Sequence, residues 1–174
     1  MRIVLHICCG VCAAGAAETL QLEGHQITGF FYNPNIHPRP EYERRLEAAM
    51  VIGRALAFPV AVPSYAPAEW EETAGHHGAD PEGGSRCEIC YRLRLTRTAA
   101  FLQEIGWDAM VTTLTVGPRK HASVVNRIGA EIAGDRFLPR DFKKKNGFER
   151  AAALARTLGV YRQSYCGCRY SAGV

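Results

Sequence analysis

The chain has 174 residues, a formal net charge of +4, 47% apolar residues and 22% charged residues. Those values suit one soluble globular domain with a substantial core, and no apolar run approaches the roughly 20 residues needed to span a bilayer, so no membrane partner is expected. The opening residues 1–7 are too short and too soon interrupted for a secretory leader, which points to the cytoplasm, where thiols stay reduced.

In chain order, residues 2–7 are apolar and β-branched and predict a buried parallel strand. Residues 8–12 predict the loop after it, and residues 13–22 a helix stopped by Gly24. Residues 26–32 predict a second strand. Residues 33–40 hold three prolines and predict irregular structure. An amphipathic helix is expected over 41–57, with Tyr42, Leu46, Ala49 and Met50 on one face, then a strand over 58–62 and a short helix over 68–75. The polar, glycine-rich stretch 76–86 predicts a mobile loop. Helices are expected over 87–105, 120–133 and 147–158, strands over 107–114 and 136–138, and an irregular tail over 159–174.

This alternation predicts a single α/β domain over residues 1–174, a mainly parallel sheet with helices on both faces. In such a sheet the loops at the carboxyl ends of the strands gather on one edge and build the site. Residues 8–12, 33–40, 115–120 and 141–145 all fall on that edge.

Every cysteine belongs to a cluster: Cys8, Cys9 and Cys12; Cys87 and Cys90; Cys166 and Cys168. Clustered thiols in a reducing compartment suggest metal binding or redox catalysis. Cys9–Cys12 and Cys87–Cys90 are both C-x-x-C pairs, and four thiolates suit tetrahedral zinc or an iron–sulfur cluster. Spacing alone favours Cys9 with Cys12. Cys8 can join the same centre only if the chain has left the strand by then. A C-x-C pair is a poor metal clamp but permits a small, easily exchanged disulfide, so Cys166 and Cys168 read as a redox pair.

Other polar residues fall on the same edge. His6 precedes the thiols in a buried strand, where a satisfied core histidine is the default. Tyr32, Asn33, Asn35 and His37 form a polar wall between prolines, read either as a rigid loop or as substrate contacts. Thr112, Thr113 and Thr115 end a strand. Lys120, Lys143, Lys144 and Lys145 can hold phosphates, and Asp141 can cap, ligate or move protons. The basic runs 118–121 and 140–146 are compatible with a polyanionic partner or with a solvated face.

Together these residues form a recognisable pattern. His-Ile-Cys-Cys-Gly-Val-Cys at 6–12, Tyr-Asn-Pro-Asn-Ile-His-Pro at 32–38 and Glu-Tyr-x-x-Arg at 41–45 resemble the epoxyqueuosine reductases of the QueH family. So do Arg-Cys-x-x-Cys-Tyr-x-x-Arg-Leu at 86–95, Thr-Thr-Leu-Thr-x-x-Pro-x-Lys at 112–120, Asp-Phe-Lys-Lys at 141–144 and the run 161–171. The resemblance implies a Rossmann-like fold of the nucleotide α-hydrolase type. It also implies reduction of epoxyqueuosine to queuosine at the wobble position of tRNA, the last step of queuosine biosynthesis. It implies a [4Fe–4S] cluster on Cys8, Cys9, Cys87 and Cys90, and a redox-active disulfide between Cys166 and Cys168. Cys12 is left for a second metal, an additional iron. The partners implied are a tRNA carrying epoxyqueuosine and an unidentified electron donor.

Two other classes stay open beside it. A tRNA sulfur transferase on the same fold needs ATP, and no ATP-phosphate motif is present. A zinc-bound RNA-binding module predicts tight zinc and no use for Cys166 and Cys168.

Overall fold

The computed structural model describes residues 1–144 and 147–171. Lys145, expected to contact phosphate, lies outside the described residues. A four-stranded, fully parallel sheet has the order β3-β2-β1-β4, built from β1 (Arg2–His6), β2 (Gln26–Phe30), β3 (Val60–Ala61) and β4 (Ala109–Thr112). The helices are α1 (Gly10–Leu22), α2 (Arg39–Ala55), α3 (Pro67–Ala74), α4 (Ser85–Glu104), α5 (Ala122–Ala133) and α6 (Gly147–Thr157).

Side chains alternate across β1, and both faces are covered. Ile3, Leu5 and Ile7 pack with α1, α2 and α6 on one face. Val4 packs on the other with Leu95 and Leu102 of α4 and Val125 and Ile128 of α5. Each such fully buried aliphatic side chain contributes about 1.5–3 kcal/mol. The single α/β domain read from the sequence is therefore present.

Helix α1 begins at Gly10, three residues earlier than expected. Cys9 is its N-cap, and the Cys9 sulfur accepts from the Cys12 amide at 3.3 Å. Cys12 thus sits in the first helical turn and not in a loop. α1 is buried on two sides, which explains its run of alanines. A Cβ on Gly10 would come within 2.7 Å of the Ala48 Cβ on α2, and one on Gly15 within 2.7 Å of the Ala151 Cβ on α6. Only small residues let the helices close on α1 this tightly.

Two other expectations change. The strand expected over 136–138 reduces to a single parallel bridge between Phe137 and Met110. The stretch 76–86 is wound about the buried Arg86 side chain. Its guanidinium donates to the carbonyls of His77, Gly78 and Asp80 at 3.1, 2.7 and 2.6 Å. A polar sequence looked like a free loop because its organising cation stands at its far end.

Candidate metal and redox site

The carboxyl edge of the sheet carries the site. Leaving β1, the chain turns at Cys8 and starts α1, so the side chains of Cys8, Cys9 and Cys12 converge. Their sulfurs all lie within 4.8 Å of one another. Cys8 is half-buried, and Cys9 and Cys12 are buried. The turn is fixed from β4: the Cys8 amide donates to the Thr113 hydroxyl at 2.9 Å, and that hydroxyl donates to the Cys8 sulfur at 3.1 Å.

These thiols ionise as one group, with Cys8 the first to lose its proton. Donation from the Cys12 and Cys9 thiols, with Lys120 and Arg94 nearby, holds Cys8 well below the usual thiol range against the cost of burial. Cys12 is pushed well above it by donating to Cys8 and Cys9. Cys9 rises to about 12: donation from Cys12 favours its thiolate, but its own bond to Cys8 and its burial outweigh that.

The second C-x-x-C pair opens α4. The Cys87 sulfur accepts from the Gly83 amide at 3.3 Å. Cys90 packs with Trp70, Ala74 and Cys168 in one buried cluster. Burial raises both thiols, Cys90 to about 11. Neither sulfur belongs to the three-thiol group. Both feel Cys166, and Cys87 also feels Cys168. The thiols thus form two sets, Cys8, Cys9 and Cys12 and then Cys87, Cys90, Cys166 and Cys168, which meet where Cys8 packs against the cluster that holds Cys87.

Two cations serve both sets. Arg94, one helical turn after Cys90, is 2% exposed and donates to the Asn33 carboxamide oxygen at 2.5 Å. Its charge acts on Cys90, Cys8 and Cys166. The ammonium of Lys120 is held charged chiefly by Cys166, with Cys8, Tyr91 and Cys12. A cleft opens over this ground, lined by Cys8, Cys12, Arg94, Lys120, Tyr165 and Cys166, with Arg119 and Arg162 also on its walls.

All seven cysteines are free, and no disulfide joins Cys166 and Cys168. Cys166 is half-buried at the cleft, and the buried Cys168 thiol donates to the Ser171 hydroxyl at 3.5 Å. Gly167 between them has φ +114, a conformation that side chains rarely adopt.

Most of the expected polar contacts stand behind the cleft. The buried Tyr32 donates to the Glu69 carboxylate, and the Arg97 guanidinium lies 5.6 Å over its ring. Asn33 bridges the Ile7 carbonyl and Arg94. Asn35 is buried with its carboxamide oxygen unpartnered, as is the Thr115 hydroxyl. His37 lies against Trp70 at 5.9 Å and faces Glu71 at 3.5 Å. Lys143 pairs with Asp141 at 3.3 Å and donates to the carbonyls of Lys120 and Thr115 at 3.0 and 3.3 Å, so its ammonium ties two loops together. Lys144 is exposed.

His6 is a satisfied core histidine. Its Nε2 faces the Tyr32 carbonyl at 3.4 Å, which can only accept, so Nε2 carries the proton and Nδ1 accepts from the Thr112 hydroxyl at 2.8 Å. Burial, with Arg94 beside it, holds its pKa at about 3.

Comparison with known proteins agrees with this geometry. The family model described as "Epoxyqueuosine reductase QueH" matches residues 3–173. Among similar curated proteins, the epoxyqueuosine reductase QueH of Streptococcus pyogenes serotype M1 is 35% identical, over 98% of this chain and 70% of that protein. That of Dehalococcoides mccartyi is 34% identical over 98% and 92%, and that of Thermotoga maritima 33% over 97% and 89%. Among solved structures, a predicted tRNA methyltransferase subunit from Methanocaldococcus jannaschii aligns with a TM-score of 0.61 at 13% identity, over 87% of this chain and 76% of that one. NMN synthetase from Francisella tularensis aligns at 0.58 and 18%, over 98% and 68%. At such identities these two share only the fold, which is of the nucleotide α-hydrolase type.

Proposed function

The chain belongs to the epoxyqueuosine reductase QueH family, and from that premise we propose how its residues divide the work of the reaction. It is an oxidoreductase that reduces epoxyqueuosine. The substrate we infer is that base at the wobble position of a tRNA, converted to queuosine. Two electrons and two protons remove the epoxide oxygen as water.

The observation that carries the assignment is the convergence of the Cys8, Cys9 and Cys12 sulfurs on the floor of a cleft whose wall holds Cys166. A set of thiols alone, with no carboxylate or imidazole among them, suits an iron–sulfur centre. The buried cations fit it too. Arg94 has no ion pair with a carboxylate among the described residues, and a buried charge needs an opposite one. Thiolates supply it. We assign Cys8, Cys9, Cys87 and Cys90 as the residues that would hold a [4Fe–4S] cluster, with Cys12 beside them for a further iron. Such a centre, when bound, supplies single electrons and Lewis acidity toward the epoxide oxygen.

The chain's own residues do the rest. Cys166 and Cys168, in closing from dithiol to disulfide, give up two electrons and two protons, the number the epoxide takes. An external electron donor then restores the dithiol. Lys120 keeps a positive charge beside Cys8 and Cys166 and favours anionic groups in the cleft. Arg119 and Arg162 on the cleft wall, together with the exposed Lys144, suit the phosphates of an anticodon loop. His6 holds its neighbours as a neutral ring and has no proton to spare. Among the described residues no helix is long and apolar enough to cross a membrane. We place the enzyme in the cytoplasm, with its tRNA.

Anaerobic reconstitution with iron and sulfide tests this reading. Brown protein with broad visible absorbance, lost in Cys8→Ser and Cys87→Ser, is expected. Colourless protein that holds zinc and is fully active would contradict it.

A further inference from the structure

The Glu-Tyr-x-x-Arg motif on α2 carries no thiol and plays no part in the account so far. Its two charged residues meet the tail 120 residues on. Glu41 and Arg45, 6% and 2% exposed, form a buried ion pair at 2.7 Å. The remaining guanidinium nitrogens of Arg45 donate to the carbonyls of Cys166 at 3.0 Å and Tyr165 at 3.2 Å. The Tyr165 ring lies 5.1 Å from the same guanidinium. The other carboxylate oxygen of Glu41 accepts from the Tyr161 hydroxyl at 2.8 Å.

The fit continues through the tail. The His37 amide donates to the Gly167 carbonyl at 2.8 Å, and the Tyr165 hydroxyl donates to the His37 carbonyl. A Cβ at Gly167 would stand 3.0 Å from both Arg45 and Ile36. Residues 161–167 are thus seated in a cradle made by α2 and the segment before it. An irregular segment has no ladder to hold it, so its backbone carbonyls need partners from elsewhere. The planar guanidinium, fixed by Glu41, meets two successive carbonyls in the way a lysine ammonium does not.

We propose that Arg45, oriented by Glu41, is a positioning residue that clamps the Cys166–Cys168 segment against the cleft. It touches the backbone of Cys166 and, although its side chain also borders the cleft, acts on the reaction through where that thiol stands. The proposal rests on the reading of Cys166 and Cys168 as the redox pair.

The test is alkylation of the reduced, metal-loaded full chain by iodoacetamide under anaerobic conditions, with each cysteine followed by mass spectrometry. In Arg45→Gln, alkylation of Cys166 and Cys168 is expected to quicken at least tenfold, with the other five thiols unchanged. Arg45→Lys recovers part of the protection. Because Arg45→Gln leaves a buried carboxylate alone, the neutral pair Glu41→Gln/Arg45→Gln is the second variant and is expected to show the same selective release. In turnover, kcat falls and KM for the tRNA holds. Unchanged labelling, or faster labelling of all seven thiols, overturns the clamp. A native chain that is loaded but reduces no epoxyqueuosine overturns the functional reading instead, and labelling still judges the clamp.

Discussion

Thr113 is bonded twice to Cys8: its hydroxyl accepts from the Cys8 amide at 2.9 Å and donates to the Cys8 sulfur at 3.1 Å. One side chain at the end of β4 thus fixes both the backbone and the sulfur that begin the thiol floor. Thr113→Val keeps the shape and removes both bonds, leaving a part-buried amide unpaired. A loss of about 1–3 kcal/mol in urea denaturation is expected, with Thr113→Ser near wild type. Equal stability of the Val and Ser variants would show that the pair does not hold the turn.

Gly10 separates the first thiols from Cys12 and touches α2 so closely that a Cβ would stand 2.7–2.9 Å from three atoms of Ala48, two of them backbone. Gly10→Ala must push α1 away from α2, at a cost of about 1–3 kcal/mol, and carries Cys9 and Cys12 with it. Both thermal stability and bound iron are expected to fall. Full stability and full metal content would mean that the contact relaxes without moving the site.

His6 gives a pH dependence. An unfolded histidine takes up a proton near 6.5, and the folded one does so only at about 3. Between those values the unfolded chain binds the extra proton, so stability falls as the pH drops through that window. The full loss is roughly 5 kcal/mol at about 1.4 kcal/mol per pH unit. Urea midpoints measured from pH 7 to pH 4 should fall more steeply for the native chain than for His6→Asn. Parallel curves would assign the acid sensitivity to other groups.

Much of this was legible in advance. Apolar, β-branched runs mark β1 and β2, and their carboxyl ends gather the expected residues on one edge. The start of α1 was not legible, because its cap is a cysteine sulfur where Ser, Thr, Asp or Asn usually stands. Nor was the use of Lys143, which reads as a phosphate contact and is spent on two loop carbonyls. Arg94 and Arg45 carry weak local signals, each being one helical turn beyond a residue of interest. What they do depends on partners up to 121 residues away, which no local pattern reveals.

Cys12 is where spacing and resemblance part, and the geometry sets its sulfur with those of Cys8 and Cys9. We expect Cys12→Ser to keep the cluster's visible absorbance and to lose iron in excess of the cluster. Iron and sulfide assays on anaerobically loaded protein read both quantities. Loss of the absorbance itself would make Cys12 a cluster ligand.

The most direct test is a single turnover assay. Anaerobically loaded protein, a strong reductant and tRNA carrying epoxyqueuosine are combined, and the nucleoside is followed by mass spectrometry. Loss of one oxygen atom to give queuosine is expected, and it should be abolished by Cys8→Ser and sharply slowed by Cys166→Ser. Conversion at the full rate by metal-free protein, or by Cys166→Ser, would contradict the account.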